Sequence, residues 1–288
     1  MSASGSLDIT ACKQGLIEVA KKGGALITGV ADAQAFADAP EGYRPTDLLP
    51  GAKRVFVAGG AQPRAADWLS PNYQHFETSS FSDRIHSLGM RLARFTEDKY
   101  GYYAICVPPG VDTGGRPFIS LELAAELAGC GSRSLAGPVL NEEYGFMYYT
   151  AVITTLPLEV DGPTHTPACP APECLQMWEE DQTTPCMSVC PISDNGCIGG
   201  KIENAKIVER RYDRARCATR VETNWIPGFQ KVLESTLNAP DKDNQKMMLY
   251  SSAFTRTLWS ITYANASQGQ CFECMRVCPV GQKHRIKK

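Results

Sequence analysis

The chain has 288 residues, 43 % of them hydrophobic and 21 % charged, which allows one large domain or two ordinary ones and argues against general disorder. A formal net charge of −2 gives no electrostatic case for nucleic acid or a membrane surface. No apolar run reaches the roughly eighteen residues of a membrane span, and Met1–Gly15 has neither the basic start nor the apolar stretch of an export leader, so a cytoplasmic protein without membrane contact is expected.

In chain order, residues 8–30 open with an amphipathic helix (Leu16, Ile17, Val19, Ala20) that stops at Gly23-Gly24. Ala25–Val30 then reads as a short buried strand, and Pro40, Gly42, Pro45, Pro50 and Gly51 mark a long loop. Val55–Ala58 is a second strand ended by Gly59-Gly60. Ile85, Leu88, Leu92 and Phe95 give Phe81–Lys99 a helical period, and Tyr102–Val107 reads as a third strand. Ser120–Ala128 is a further helix and Tyr148–Thr155 a further strand. Helices alternating with short apolar strands predict an α/β (α+β) layer structure through about residue 160. A Pro-rich connector starts at Asp161, which divides the chain into domains of residues 1–160 and 161–288. In the second, helical patterns run over Lys201–Arg216, Gln230–Leu237 and Lys246–Ala264, and the basic tail Lys283–Lys288 reads as a solvated end.

Cysteine placement carries the chemistry. Of twelve cysteines, Cys12, Cys106 and Cys130 are scattered and read as small buried apolar residues, while nine fall between Cys169 and Cys278. A reducing compartment makes metal the better explanation than disulfides. Cys271-Phe-Glu-Cys274-Met-Arg-Val-Cys278-Pro279 closes the series. Cys186-Met-Ser-Val-Cys190-Pro191 precedes it, flanked by Cys169, Cys174, Cys197 and Cys217. In bacterial-type ferredoxins the cysteine before proline ligates the neighbouring cluster. On that rule Cys278 completes one [4Fe–4S] cluster held by Cys169, Cys174 and Cys186. Cys190 joins Cys271 and Cys274 on a second, with Cys217 or Cys197 as the fourth ligand. Paired zinc sites also use four cysteines each, but a three-residue spacer followed by proline, twice over, fits clusters better.

Other motifs say less. Gly110–Gly115 is glycine-rich but neither a Walker loop nor a dinucleotide fingerprint, and reads as a turn. The four histidines form no motif, and no Ser–His–Asp or paired-carboxylate pattern stands out.

From about Gly42 to Gly281 the sequence resembles the cobalamin-dependent iron–sulfur reductases that include epoxyqueuosine reductase and the reductive dehalogenases. The resemblance rests on Pro50-Gly-Ala-Lys-Arg-Val-Phe-Val, on Leu123-Ala-Ala-Glu-Leu-Ala-Gly-Cys-Gly131 followed by Asn141-Glu-Glu-Tyr-Gly145, on Val152–Asp161 and on Arg216-Cys217. It implies a nitroreductase-like corrinoid-binding domain followed by a ferredoxin-like domain with two [4Fe–4S] clusters, and it selects Cys217 over Cys197. It also implies cobalamin held near Gly129, Gly131, Asn141, Tyr144 and Gly145, whose glycines would let backbone approach a large flat ligand. Asp112, Tyr144, Tyr148 and Tyr149 are the candidate proton donors. An electron donor such as a ferredoxin or flavodoxin and a small-molecule substrate would complete a reductase. The alternative is a non-catalytic two-cluster electron-transfer protein serving a partner. Two departures bear on the substrate. The compact first cysteine motif is opened out here to Cys169, Cys174 and Cys186. The family's aspartate general acid falls near Gly114, with Asp112 the nearest carboxylate, and Ser134 and Leu135 replace an expected lysine and glycine.

Overall fold

The computed structural model describes residues 7–60, 71–107, 118–192, 196–213, 232–252 and 273–284, with positions 216, 230, 254 and 255 between them, and side chains in the 71–83 stretch lie outside the description. Helix α1 (Ile9–Lys22) starts where the Asp8 carboxylate accepts the Ala11 N–H at 3.0 Å and ends at Gly23. Strand β1 (Ile27–Asp32) begins two residues later than the hydrophobic run suggests, because the Ala25 N–H still closes the helix end on the Ala20 carbonyl. A short 3-10 turn (Ala33–Phe36) and α2 (Pro45–Leu48) occupy the loop region before β2 (Arg54–Gly60). Then come α3 (Pro71–Tyr100), β3 (Ala104–Cys106), α4 (Leu121–Leu127), the small strands β4 (Ser132–Arg133), β5 (Val139–Asn141) and β6 (Gly145–Phe146), and β7 (Tyr148–Thr154).

The main sheet has the order β1-β2-β7-β3, and every pairing in it is antiparallel. The mixed α/β character expected from the sequence is present, in its antiparallel form. Alternation along each strand sends side chains to two cores. Val30, Phe56, Ala58 and Val152 pack beneath Leu16 and Ala20 of α1 and Leu88 and Leu92 of α3. Ala31, Val55, Val57, Ala151 and Ile153 face Ala124, Ala125 and Ala128 of α4. Cys12 and Cys130 lie buried in these two cores, as expected of small apolar residues.

Asp161, at the expected domain boundary, is tied into the first sheet: it accepts the Val30 N–H at 2.8 Å and pairs with Lys13 at 2.5 Å. Beyond it lie α5 (Pro172–Asp181), α6 (Pro185–Ser188) and a two-stranded ribbon, β8 (Ile198–Glu203) and β9 (Lys206–Tyr212). The ribbon corrects the helix expected over Lys201–Arg216. Asn204 and Ala205 both sit at positive φ, 50° and 58°, which reverses the chain so that Ile202 stands opposite Ile207. Residues 232–237 are helical, within the span expected for Gln230–Leu237. The next helix covers Lys242–Leu249, capped by Asp241 on the Asn244 N–H and closed at Tyr250, so it does not run unbroken from Lys246 toward Ala264. Residues 256–264 lie outside the described set. Among the described residues no helix is long and apolar enough to cross a membrane.

Candidate functional site

Among the described residues, a third buried cluster joins Ala136, Leu140 and Phe146 of the first half to Cys197 and Ile198 of the second, and packed against them are Cys169, Cys186, Cys190, Cys274 and Cys278 with Met187 and Met275. Thiols therefore fill the place that aliphatic side chains take in an ordinary small domain.

Cys169 follows the Pro-rich connector, Cys174 sits in the first turns of α5, Cys186 in α6, and Cys278 just after the helical turn Glu273–Arg276. These four thiols act on one another electrostatically: Cys278 feels Cys169, Cys186 and Cys174, and Cys174 feels Cys169 and Cys186. Burial pushes all four up, Cys174 to about 11 and Cys278 to about 12. Ionising them there would require compensating positive charge, of the kind a bound metal centre would supply. Among the described residues no three His, Cys, Asp or Glu side chains gather tightly enough for a single metal ion. The donor set, three closely spaced soft thiols with a distant fourth, has the chemistry that an iron–sulfur cube would need. The Leu135 N–H points at Cys169 Sγ from 3.5 Å, and Thr184 Oγ1 lies 3.2 Å from Cys186 Sγ.

Cys190 and Cys274 join the same patch. Cys190 Sγ lies 3.4 Å from Cys197 Sγ and accepts the Cys197 N–H at 3.2 Å. Burial pushes the Cys190 thiol up, but the backbone N–H groups of Cys197, Ile192 and Ile198, with the Cys197 thiol, bring it below its ordinary value. Cys217 and Cys271 lie outside the described residues.

The Asn141–Gly145 turn stands beside these thiols. Asn141 Nδ2 donates to the Cys130 carbonyl at 2.9 Å, and its Oδ1 accepts the N–H groups of Glu143 and Tyr144, both at 3.0 Å. Its side chain is therefore engaged in holding the turn. The glycines assigned to a close corrinoid approach face protein backbone instead. A β-carbon would meet the Gly162 carbonyl at Gly129, the Leu140 carbonyl at Gly131 and the Val280 carbonyl at Gly145, and Gly129 has the positive φ of a helix end. The β-carbon side of each of these three glycines is thus occupied by the chain's own backbone. Tyr144 packs its ring 4.8 Å from that of His284, which pairs with Glu143 at 3.6 Å. An open groove of about 500 Å³ passes here, lined by Glu142, Glu143, Pro170, Glu173, Pro279 and Gln282.

Of the other proton-donor candidates, Asp112 lies outside the described residues and Tyr148 starts β7. The Tyr149 hydroxyl is buried in the α4 core without a hydrogen-bond partner among the described residues. Burial raises it far above its ordinary value, and Cys130 and Glu122 add to this. Glu122 was not foreseen. Its half-buried carboxyl lies against β5, where it accepts the Val139 N–H, and desolvation lifts it to about 7. A first-turn glutamate ordinarily faces solvent and favours the helix N-terminus, so nothing in the sequence marks this one.

No family model matches the chain, and no curated protein does. Solved structures do. One epoxyqueuosine reductase superposes with a TM-score of 0.57 at 20 % identity, covering 97 % of this chain and 68 % of its own. An epoxyqueuosine reductase bound to a modified tRNA-Tyr stem loop gives 0.56 at 19 %, with the same coverage. The chain has the fold of these reductases. A B12-dependent reductive dehalogenase gives 0.50 at 15 %, covering 96 % of this chain but 40 % of the dehalogenase.

Proposed function

We propose that the chain is an iron–sulfur oxidoreductase that passes single electrons through two [4Fe–4S] clusters. Cys169, Cys174, Cys186 and Cys278 would hold the first, and Cys190, Cys217, Cys271 and Cys274 the second. The observation that supports this reading is the packing of Cys169, Cys186, Cys190, Cys274 and Cys278, from both cysteine–proline motifs, against one buried cluster, as the cysteine-before-proline rule leads one to expect of a two-cluster chain. Bound clusters would supply one-electron storage and transfer. The chain's part is to hold the thiols, to keep water from them with Leu140, Phe146, Ile198 and Met187, and to fix the Cys278 loop against the Asn141–Gly145 turn.

A reductase is the reading favoured by the fold neighbours, which are epoxyqueuosine reductases and a B12-dependent reductive dehalogenase. The second reading, a two-cluster electron-transfer protein, is favoured by the glycines at 129, 131 and 145, which pack on backbone. Anaerobic purification with added cobalamin, followed by gel filtration, separates the two. Corrinoid that co-elutes with the protein supports the reductase. Full iron with no retained corrinoid supports the electron carrier. The expectation against nucleic acid rests on net charge alone and is weakened by the tRNA complex of a fold neighbour, so a tRNA stem loop belongs among the ligands tried.

A further inference from the structure

One side chain of the β8–β9 ribbon reaches back to the first ligand group. Arg210 Nε donates to the Ser134 carbonyl at 3.2 Å, and one of its terminal nitrogens donates to the Arg133 carbonyl at 3.1 Å. The Ser134 carbonyl and the Leu135 N–H belong to a single peptide unit, and that N–H points at Cys169 Sγ. The atoms form one line of hydrogen bonds: guanidinium to carbonyl, then across the peptide to amide hydrogen and sulfur. A cation on the carbonyl end polarises the peptide and makes its N–H a better donor. The ribbon is held in place for this. Gly200 lies so close to Leu135 that a β-carbon there would come to 2.6 Å from Leu135 Cδ1, and the ring of Tyr212 lies over Gly137.

Resting on the cluster reading above, we infer that Arg210 is a positioning residue for the first cluster: it strengthens the Leu135 N–H bond to Cys169 Sγ and so raises that cluster's reduction potential. A reduced cluster carries one more negative charge than an oxidised one, and hydrogen bonds to the ligating sulfur stabilise the more negative state.

The test is an anaerobic redox titration of the reconstituted full chain, followed by visible absorbance and electron paramagnetic resonance. Arg210→Gln removes the charge but can still reach a carbonyl. At fixed potential the reduced-to-oxidised ratio of one cluster should fall about threefold, the size of one exposed charge, which is a shift of about 28 mV at 59 mV per tenfold. The other cluster should not move. Arg210→Lys keeps the charge but loses the fork, and should fall between. Lys201→Gln makes the same change in net charge on the same ribbon, where Lys201 pairs only loosely with Glu203 at 3.7 Å, and should move neither cluster. Full iron and sulfide in Arg210→Gln with both potentials unmoved would overturn the inference, as would an equal shift in Lys201→Gln. Where Arg210→Gln fails to load its cluster, Arg210→Lys carries the test alone: a negative shift supports the relay and an unmoved potential overturns it. A parent protein that takes up no iron and sulfide sinks the cluster reading instead.

Discussion

Gly145 and Gly281 meet backbone to backbone: a β-carbon added at Gly281 would stand 2.5 Å from Gly145 N, and one added at Gly145 would stand 2.7 Å from the Val280 carbonyl oxygen. Both glycines have positive φ, 76° and 77°. This contact clamps the Cys278-Pro279-Val280 turn onto the turn that Asn141 organises, and so brings the last thiolate back to Cys169, Cys174 and Cys186. Gly145→Ala should cost about 1–3 kcal/mol, from left-handed strain and the clash with Val280 together. It should also reduce iron on the first cluster more than on the second. Urea unfolding and iron analysis check both, and an alanine variant as stable and as iron-rich as the parent would refute the clamp.

The 3.4 Å separation of Cys190 and Cys197 places the two sulfurs side by side, not at separate corners of a cube. Cys197→Ser should therefore leave both clusters in place, since the backbone N–H that serves Cys190 survives the substitution. Cys217→Ser should lose about half the iron, because an alcohol holds iron poorly. The opposite pattern in iron and sulfide assays would exchange the roles of these two cysteines.

Glu122 makes stability depend on pH in an uncommon direction. Its folded value of about 7 lies above its ordinary 4.5, so the native state holds the proton more tightly than the unfolded chain does. The stabilisation is fully present below about pH 4.5 and is lost as pH rises through about 7. Across that window the change attributable to Glu122 is about 3 kcal/mol, from 1.36 kcal/mol per unit. Glu122→Gln retains an acceptor for the Val139 N–H and should flatten this component of the stability profile. An unchanged pH slope in the variant, measured by denaturant unfolding, would contradict the burial argument.

Much of the first half is legible in the sequence because its signals are local. Asp8 and Ser120 announce helix starts, Gly23-Gly24 a stop, and Val55–Ala58 a strand buried on both faces. The second half is harder to read. Lys201–Arg216 sets a few apolar residues among many charged ones, as a solvent-facing helix does, yet the positive-φ residues Asn204 and Ala205 fold the segment into a ribbon. At the site, cysteine spacing alone suggests the grouping of Cys278 with Cys169, Cys174 and Cys186. The roles of Gly129, Gly131 and Gly145 were not legible, because a glycine that admits a ligand and one that admits its own chain look alike in sequence. Arg210 and Glu122 gain their positions only from tertiary contacts with residues 133–139.

The most direct test of the central claim is metal and sulfide analysis of anaerobically reconstituted protein beside its Cys278→Ser variant. The two-cluster reading predicts about eight iron and eight acid-labile sulfide per parent chain, with a broad visible absorbance that dithionite bleaches. The variant should retain about half of both, since Cys278 serves only the cluster it shares with Cys169, Cys174 and Cys186. Stoichiometric zinc without sulfide in the parent, or full iron and sulfide in the variant, would contradict it.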